Sequence, residues 1–353
     1  MLPEGKKIRV FVVDDSAVAR AFMISGLAQK PNIEIIGYAV NATQALREIP
    51  RLRPDVITSD VEMPDMSGIE MLKKLLPTCP VPAILVSSLN LRVFEALAAG
   101  AVDFVRKPDG SQKRDEFIAT LADKIVIANY AHVRMAPRQT APENVEKAPV
   151  VLLGREPAIE RIVIGLGAST GGTEATLDVL KRLPADIPPM VVVQHMPPGF
   201  TQMYAERLNR LCAMEVREAA DGDALRRGLV LVAPADLQCC VVKRGDQYRV
   251  SCRPGEKVSG HRPSVDVLFS SMAENVTGKM AGIILTGMGH DGSEGLLAMR
   301  KKGAYTIGQD KESSVVYGMP MVAYDIGAVQ VQASCEKIAD VLLKHLSSLT
   351  NKP

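Results

Sequence analysis

The stretch IVIGLGASTGG, residues 162–172, decides how the second half of the chain is built. A short apolar strand runs into a glycine-rich turn, and helical spacing follows from about Thr173 to Arg182. Two readings of this strand–turn–helix step lead to different enzymes. GxG followed by Gly171 loosely resembles a dinucleotide-binding turn, which requires an acidic residue at the end of the next strand to hold ribose hydroxyls. The next strand, MVVVQH, ends in Gln194 and His195, so that second requirement is missing. GASTG, residues 167–171, instead matches G-x-S-x-G, a strained turn that lifts Ser169 out of the sheet edge. A helix starting just beyond Ser169 aims backbone N–H groups, Thr170 among them, at the spot where an oxyanion would form. Taken alone, five residues are weak evidence, and a glycine-rich turn without chemistry is the commoner outcome.

A serine nucleophile needs a base, and the histidines lie at 132, 195, 261, 290 and 345. His132 and His345 fall on helical stretches near domain ends and read as surface residues. His195 follows the very next strand. Consecutive strands usually neighbour one another, which brings Ser169 and His195 to one sheet edge. His261, in SGHRPS, is a loop residue able to line the site. The stretch AGIILTGMGHDG supplies Asp291, either as the acid that orients the imidazole or as the cap of a helix beginning near Ser293. His290, beside it, reads as incidental. The chain order Ser, His, Asp differs from that of α/β-hydrolases, but triads are defined by geometry.

Outward from this core, the 353 residues predict two domains. The 42 basic and 40 acidic residues create no net field for nucleic acid or anionic membranes. The apolar run Ile8–Val13 is too short for a signal segment and no later run is long enough to span a bilayer, so a cytoplasmic protein without membrane insertion is expected. Cysteines at 79, 212, 239, 240, 252 and 335 have no zinc spacing and read as reduced thiols, the Cys239-Cys240 pair as adjacent strand positions. From residue 8 to about 130, strands such as IRVFVV, DVITS and PAILVS alternate with amphipathic helices, predicting a parallel sheet covered on both faces. MAPRQTAPENVEKAP, residues 135–149, lacks apolar periodicity and reads as a linker. After it the βα alternation resumes, interrupted by LQCCVVKRGDQYRVSC, a hairpin turning at Gly245-Asp246.

Chemistry also gathers in the first half. Asp14 and Asp15 end the first strand and Asp60 the third; Ser87 ends the fourth and Lys107 the fifth. In a parallel sheet these ends share one edge. Three carboxylates there repel unless a cation joins them, and a hard dication such as Mg2+ suits them. Lys107 and the Ser87 hydroxyl then suit phosphoryl oxygens.

These residues resemble a known family. VDDS, DVEMPDMSG, VSS and FVRKP look like a response-regulator receiver domain of the (βα)5, flavodoxin-like class. The resemblance implies that Asp60 is phosphorylated by a chemotaxis histidine kinase. It implies that Mg2+ sits on Asp14, Asp15, Asp60 and the backbone carbonyl of Glu62. It also implies that Ser87 and Lys107 read the phosphate, with Ser88 a lesser candidate. The interval after VSSL is short, so the fourth helix is expected to be trimmed. GASTGGTEA, VVQHMPPGFT, GHRPSVDVLF and LTGMGHDG are similar to the catalytic domain of the CheB methylesterases. That resemblance implies a Ser169–His195–Asp291 triad and an oxyanion site that includes the Met288 N–H. It implies methyl-accepting chemoreceptors as substrates, glutamine deamidation as a second reaction, and no cofactor at the esterase site. It also makes the receiver a lid that phosphorylation releases. The expected boundaries are a receiver over 1–130, a linker over 131–157 and a doubly wound parallel α/β catalytic domain over 158–353. Gln238 departs from the family, which commonly has histidine there.

Overall fold

The computed structural model describes residues 6–87, 92–108, 114–133 and 162–350. The chain divides into two units, Met1–Ala141 and Pro142–Pro353. Most of the expected linker, and Ser88, lie outside the described residues.

In the first unit, β1 (Ile8–Val13), β2 (Ile33–Ala39), β3 (Val56–Asp60), β4 (Ala83–Ser87) and β5 (Asp103–Arg106) form one parallel sheet in the order β2-β1-β3-β4-β5. Strands β3 (VITSD) and β4 (AILVS) are buried along their whole length, Thr58, Ser59 and Asp60 included, as befits central strands covered on both faces. Helices α1 (Ala17–Ala28), α2 (Ala42–Leu52), α3 (Gly68–Leu75), α4 (Arg92–Ala98) and α5 (Arg114–Ala128) connect and follow them. Among the described residues α4 spans seven positions, while the interval just before it lies outside them.

The second unit holds a seven-stranded sheet, every pairing of which is parallel. Its strands are β6 (Val163–Ala168), β7 (Met190–Gln194), β8 (Glu215–Glu218), β9 (Leu229–Val232), β12 (Met280–Ile284), β13 (Tyr305–Gln309) and β14 (Val331–Ala333), in the order β14-β13-β12-β6-β7-β9-β8. β6 is central, with β7 on one side and β12 on the other. The chain thus winds away from β6 in one direction and later returns along its opposite flank. This reversal makes the carboxyl ends of β6 and its neighbours the natural crevice for a ligand. Antiparallel β10 (Gln238–Arg244) and β11 (Gln247–Arg253) form the hairpin, with Gly245 at φ 61° in its two-residue turn. Cys239 and Cys252 face each other across it as free thiols, their sulfurs 3.7 Å apart.

The helices of this unit are α6 (Gly172–Leu180), α7 (Phe200–Leu211), α8 (Val265–Asn275), α9 (Ser293–Lys301), α10 (Met319–Asp325) and α11 (Cys335–Thr350). The sequence reading did not resolve β8, α8, α10 or β14. For α8 the signal is present: Val265, Leu268, Phe269 and Met272 are all buried at helical spacing. Ser264 accepts from the Val267 N–H and caps it. His345, read as surface, is half-buried, its ring stacked on Tyr305 at 3.9 Å. No helix among the described residues is long and apolar enough to cross a membrane.

Phe269 is fully buried where α8 meets the sheet and α9. Phe269→Ala is expected to cost about 3–5 kcal/mol in denaturant unfolding of the second unit. The receiver's transition should stay in place.

Candidate active site

Ser169 and His195 are the first residues past two paired strand ends. Ala168 of β6 is registered with Gln194 of β7, and the His195 N–H donates to the Ala168 carbonyl at 3.1 Å. Gln194, which is buried, locks this junction. Its side-chain amide donates to the carbonyls of Ser169 (2.8 Å) and His195 (3.1 Å). On the other flank the Ser169 N–H donates to the Thr286 carbonyl at 3.0 Å, extending the β6–β12 pairing by a residue and drawing the 286–288 loop alongside. The approach is close enough that a Cβ at Gly287 would lie 2.7 Å from Cβ of Ser169. Met288 therefore follows a residue packed directly on the serine. Among the described residues no protein acceptor engages its N–H. Gly171, at φ 77°, turns the chain from the serine into α6, a conformation that favours glycine over any side chain.

Asp291, 1 % exposed, lies in the loop after β12. Its Oδ2 faces Nε2 of His195 at 2.8 Å and accepts from the Val265 N–H at 2.8 Å. Its Oδ1 accepts from the Ser264 hydroxyl at 2.6 Å and the Asp266 N–H at 3.0 Å. The two sequence readings of Asp291 thus converge in altered form. It meets the imidazole, and it also caps a helix, but that helix is α8 rather than the α9 expected. Burial alone would raise its carboxyl pKa; the hydrogen bond and charge of His195, with the Ser264 hydroxyl and Asp266 N–H, prevail and hold it at about 2. Asp266 returns the arrangement by accepting from the Gly295 N–H of α9 at 2.8 Å. Burial keeps its own carboxyl above the usual value.

With Nε2 engaged by Asp291, the other ring nitrogen of His195 is the one left for proton transfer. That atom, Nδ1, is buried and has no hydrogen-bond partner among the described residues. His261, expected as a lining residue, stacks on the His195 ring with centroids 3.7 Å apart and planes 10° from parallel. His290 is exposed. Gln194, Ser264 and Asp266 escaped the sequence reading. Only Ser264 left a recognisable mark, a capping residue just before an apolar helical run.

In the first unit Asp14, Asp15 and Asp60 bring carboxylate oxygens within 4.8 Å of one another. Asp14 and Asp60 are buried and Asp15 is exposed. Lys107 pairs with Asp14 at 3.1 Å and with Asp60. Burial alone would lower its ammonium pKa, but the hydrogen bond and charge of Asp60, with Asp14 beside it, keep it raised. Burial likewise raises Asp14. The Ser87 hydroxyl is buried without a partner among the described residues. The Glu62 N–H donates to Asp60 Oδ1 at 3.2 Å, which folds the chain after Asp60 back over its carboxylate. Hard oxygen donors so crowded are suited to a divalent cation such as Mg2+.

The depressed pKa of Asp291 has a stability consequence. Because the folded value, about 2, lies below the ordinary 3.8, the carboxylate stabilises the fold fully above 3.8 and loses that contribution as pH falls towards 2. Asp291→Asn should cost about 2 kcal/mol at neutral pH. In urea titrations from pH 6 to pH 2 the gap between variant and parent should close at the acid end.

Residues 164–342 match the CheB methylesterase family, and residues 10–119 match the response regulator receiver domain. A protein-glutamate methylesterase/protein-glutamine glutaminase of Syntrophomonas wolfei is 47% identical over 346 residues, covering 98% of this chain and 99% of that one. A protein of the same designation from Agrobacterium fabrum is 44% identical over 340 residues, covering 95% and 96%. The crystal structure of the Thermotoga maritima CheB methylesterase catalytic domain superposes with a TM-score of 0.51 at 35% identity, covering 53% of this chain and 98% of that one. Matches in both halves and relatives aligned from end to end lead to one conclusion: the chain belongs to the CheB methylesterase family, with a receiver domain ahead of its methylesterase domain.

Proposed function

We propose that this chain hydrolyses glutamate methyl esters on methyl-accepting chemoreceptors, releasing methanol, and deamidates receptor glutamines by the same route. The observation that carries the reading is the His195–Asp291 contact at the sheet edge that also bears Ser169. The Ser169 hydroxyl attacks the ester carbonyl carbon while Nδ1 of His195 takes its proton. Asp291, bound to Nε2, balances the imidazolium that results. The N–H groups of Thr170 and Met288 receive the oxyanion. The imidazolium then protonates the departing methoxide. Water, deprotonated in turn by Nδ1, cleaves the acyl-enzyme to release the receptor's glutamate carboxylate, and the imidazolium returns its proton to the Ser169 oxygen. Deamidation differs only in that ammonia leaves. The chemistry needs no cofactor at this site, and the enzyme works in the cytoplasm.

Regulation falls to the receiver. Asp60 accepts a phosphoryl group from a chemotaxis histidine kinase. Asp14, Asp15 and Asp60, with the Glu62 carbonyl, would hold Mg2+, which when bound would offset the negative charge of carboxylates and phosphoryl oxygens. Lys107 moves from its carboxylate pairs toward the new phosphoryl oxygens, and the Ser87 hydroxyl donates to another. Coupling of about 1–3 kcal/mol between such a site and a distant activity is typical.

Ser169→Ala and His195→Ala should each lower methanol release from methylated receptor membranes by about 10⁶-fold, and Asp291→Ala by about 10⁴-fold. Undiminished release by Ser169→Ala would exclude the nucleophile. A phosphodonor should stimulate the parent chain by roughly 5–150-fold and leave Asp60→Asn unchanged. Equal stimulation of both would place the regulatory phosphate elsewhere.

A further inference from the structure

Gln238 opens β10 and is buried, yet it belongs to neither cluster of candidate site residues. Its amide spans the loop that connects the hairpin to α8. The side-chain nitrogen donates to the carbonyls of Glu256 (2.8 Å) and His261 (3.3 Å), and Oε1 accepts from the Ser264 N–H at 2.9 Å. The loop has further ties of its own. Val258 and His261 exchange backbone hydrogen bonds at 3.0 and 2.9 Å, and the Asp236 N–H donates to the Arg262 carbonyl at 3.2 Å. Only the Gln238 side chain holds both of the loop's working residues among these contacts. At one of them, the His261 ring lies flat on His195 at 3.7 Å. At the other, the Ser264 hydroxyl donates to Asp291 at 2.6 Å.

We infer that Gln238 is a positioning residue: through His261 and Ser264 it fixes the orientation of the His195 ring and of the carboxylate that binds it. Anchoring Nε2 to Asp291 restrains one corner of the imidazole. The ring can still tilt about that corner, and the stacked face of His261 removes the tilt, so that Nδ1 keeps a single direction. A glutamine suits the task because one planar amide offers two N–H donors for two carbonyls and one acceptor for an N–H. A neutral imidazole offers one donor and one acceptor, so it could not make all three contacts. The catalytic part of this inference rests on the triad reading above; the structural part does not.

Two readouts on the full chain test it. Gln238→Met keeps side-chain length and removes all three hydrogen bonds; Gln238→Asn keeps the amide but is too short to reach both ends of the loop. Either variant should lower kcat about 10–100-fold, the scale of a small misplacement of reacting groups, with KM changed by less than about twofold. In proton NMR of histidine-labelled protein, the stacked His261 ring shields the ring protons of His195. Those resonances should shift downfield in both Gln238 variants, towards their positions in His261→Ala. Unmoved His195 resonances, or a raised KM at unchanged kcat, would overturn the inference. Ser169→Ala is assayed alongside. If it still releases methanol, the hydrolytic reading falls, while the resonances continue to judge Gln238 by themselves.

Discussion

The second unit is organised around a carboxylate that has been taken out of water. An isolated buried charge is costly, and it persists only where donors replace the lost solvent. Asp291 receives two of them from the first turn of α8, where the free N–H groups and the helix dipole favour an anion. The Ser264 hydroxyl and the His195 ring complete its shell. Three segments distant in the chain are thereby pinned to one atom group. Asp266 answers from the start of α8 by capping α9, the helix that follows Asp291. Each helix thus has its N-terminus closed by an acid from the other segment, and neither can shift along its axis without exposing buried N–H groups. The carboxylate is thereby held from the N-terminus of α8 as well as from its own loop.

The receiver cluster treats carboxylates in the opposite manner. Its acids are crowded together with few backbone donors, and Lys107 supplies positive charge within the group. Asp291 has a full complement of partners and is held in its charged form. Asp14 is pushed toward its neutral form by burial. The difference separates a fully partnered anion from a crowded acid for which burial outweighs its partners.

Much of this was legible in the sequence. The βα alternation, the parallel sheets and the hairpin turn at Gly245-Asp246 follow from apolar periodicity and turn chemistry, which are local. Ser169, His195 and Asp291 could be brought to one edge because each follows a strand and the ends of parallel strands share a side. The shell of Asp291 was not legible. Its partners at 264–266 precede it by 25 residues or more, and the motif GHRPS masks the start of α8 by reading as loop. Gln194 entered only as evidence against a nucleotide site, since nothing in its spacing says that its amide bridges two strand ends. Gln238 registered as a departure from the family, while its hydrogen bonds depend on a loop closure that no pattern encodes.

The way the imidazole is held has a mechanical corollary. Nε2 is the ring atom remote from the main chain, whereas Nδ1 lies only two bonds beyond Cβ. Tethering the remote atom turns the side chain into a short crank whose working end sits almost on the backbone. Swinging of the ring then turns that end more than it translates it, so the direction of Nδ1 depends on what holds the ring face, while a bodily shift of the β7 terminus carries the atom along. Nδ1 is in effect indexed to the sheet, so on the proposed mechanism a displacement of the β7 end would change the distance over which the proton passes.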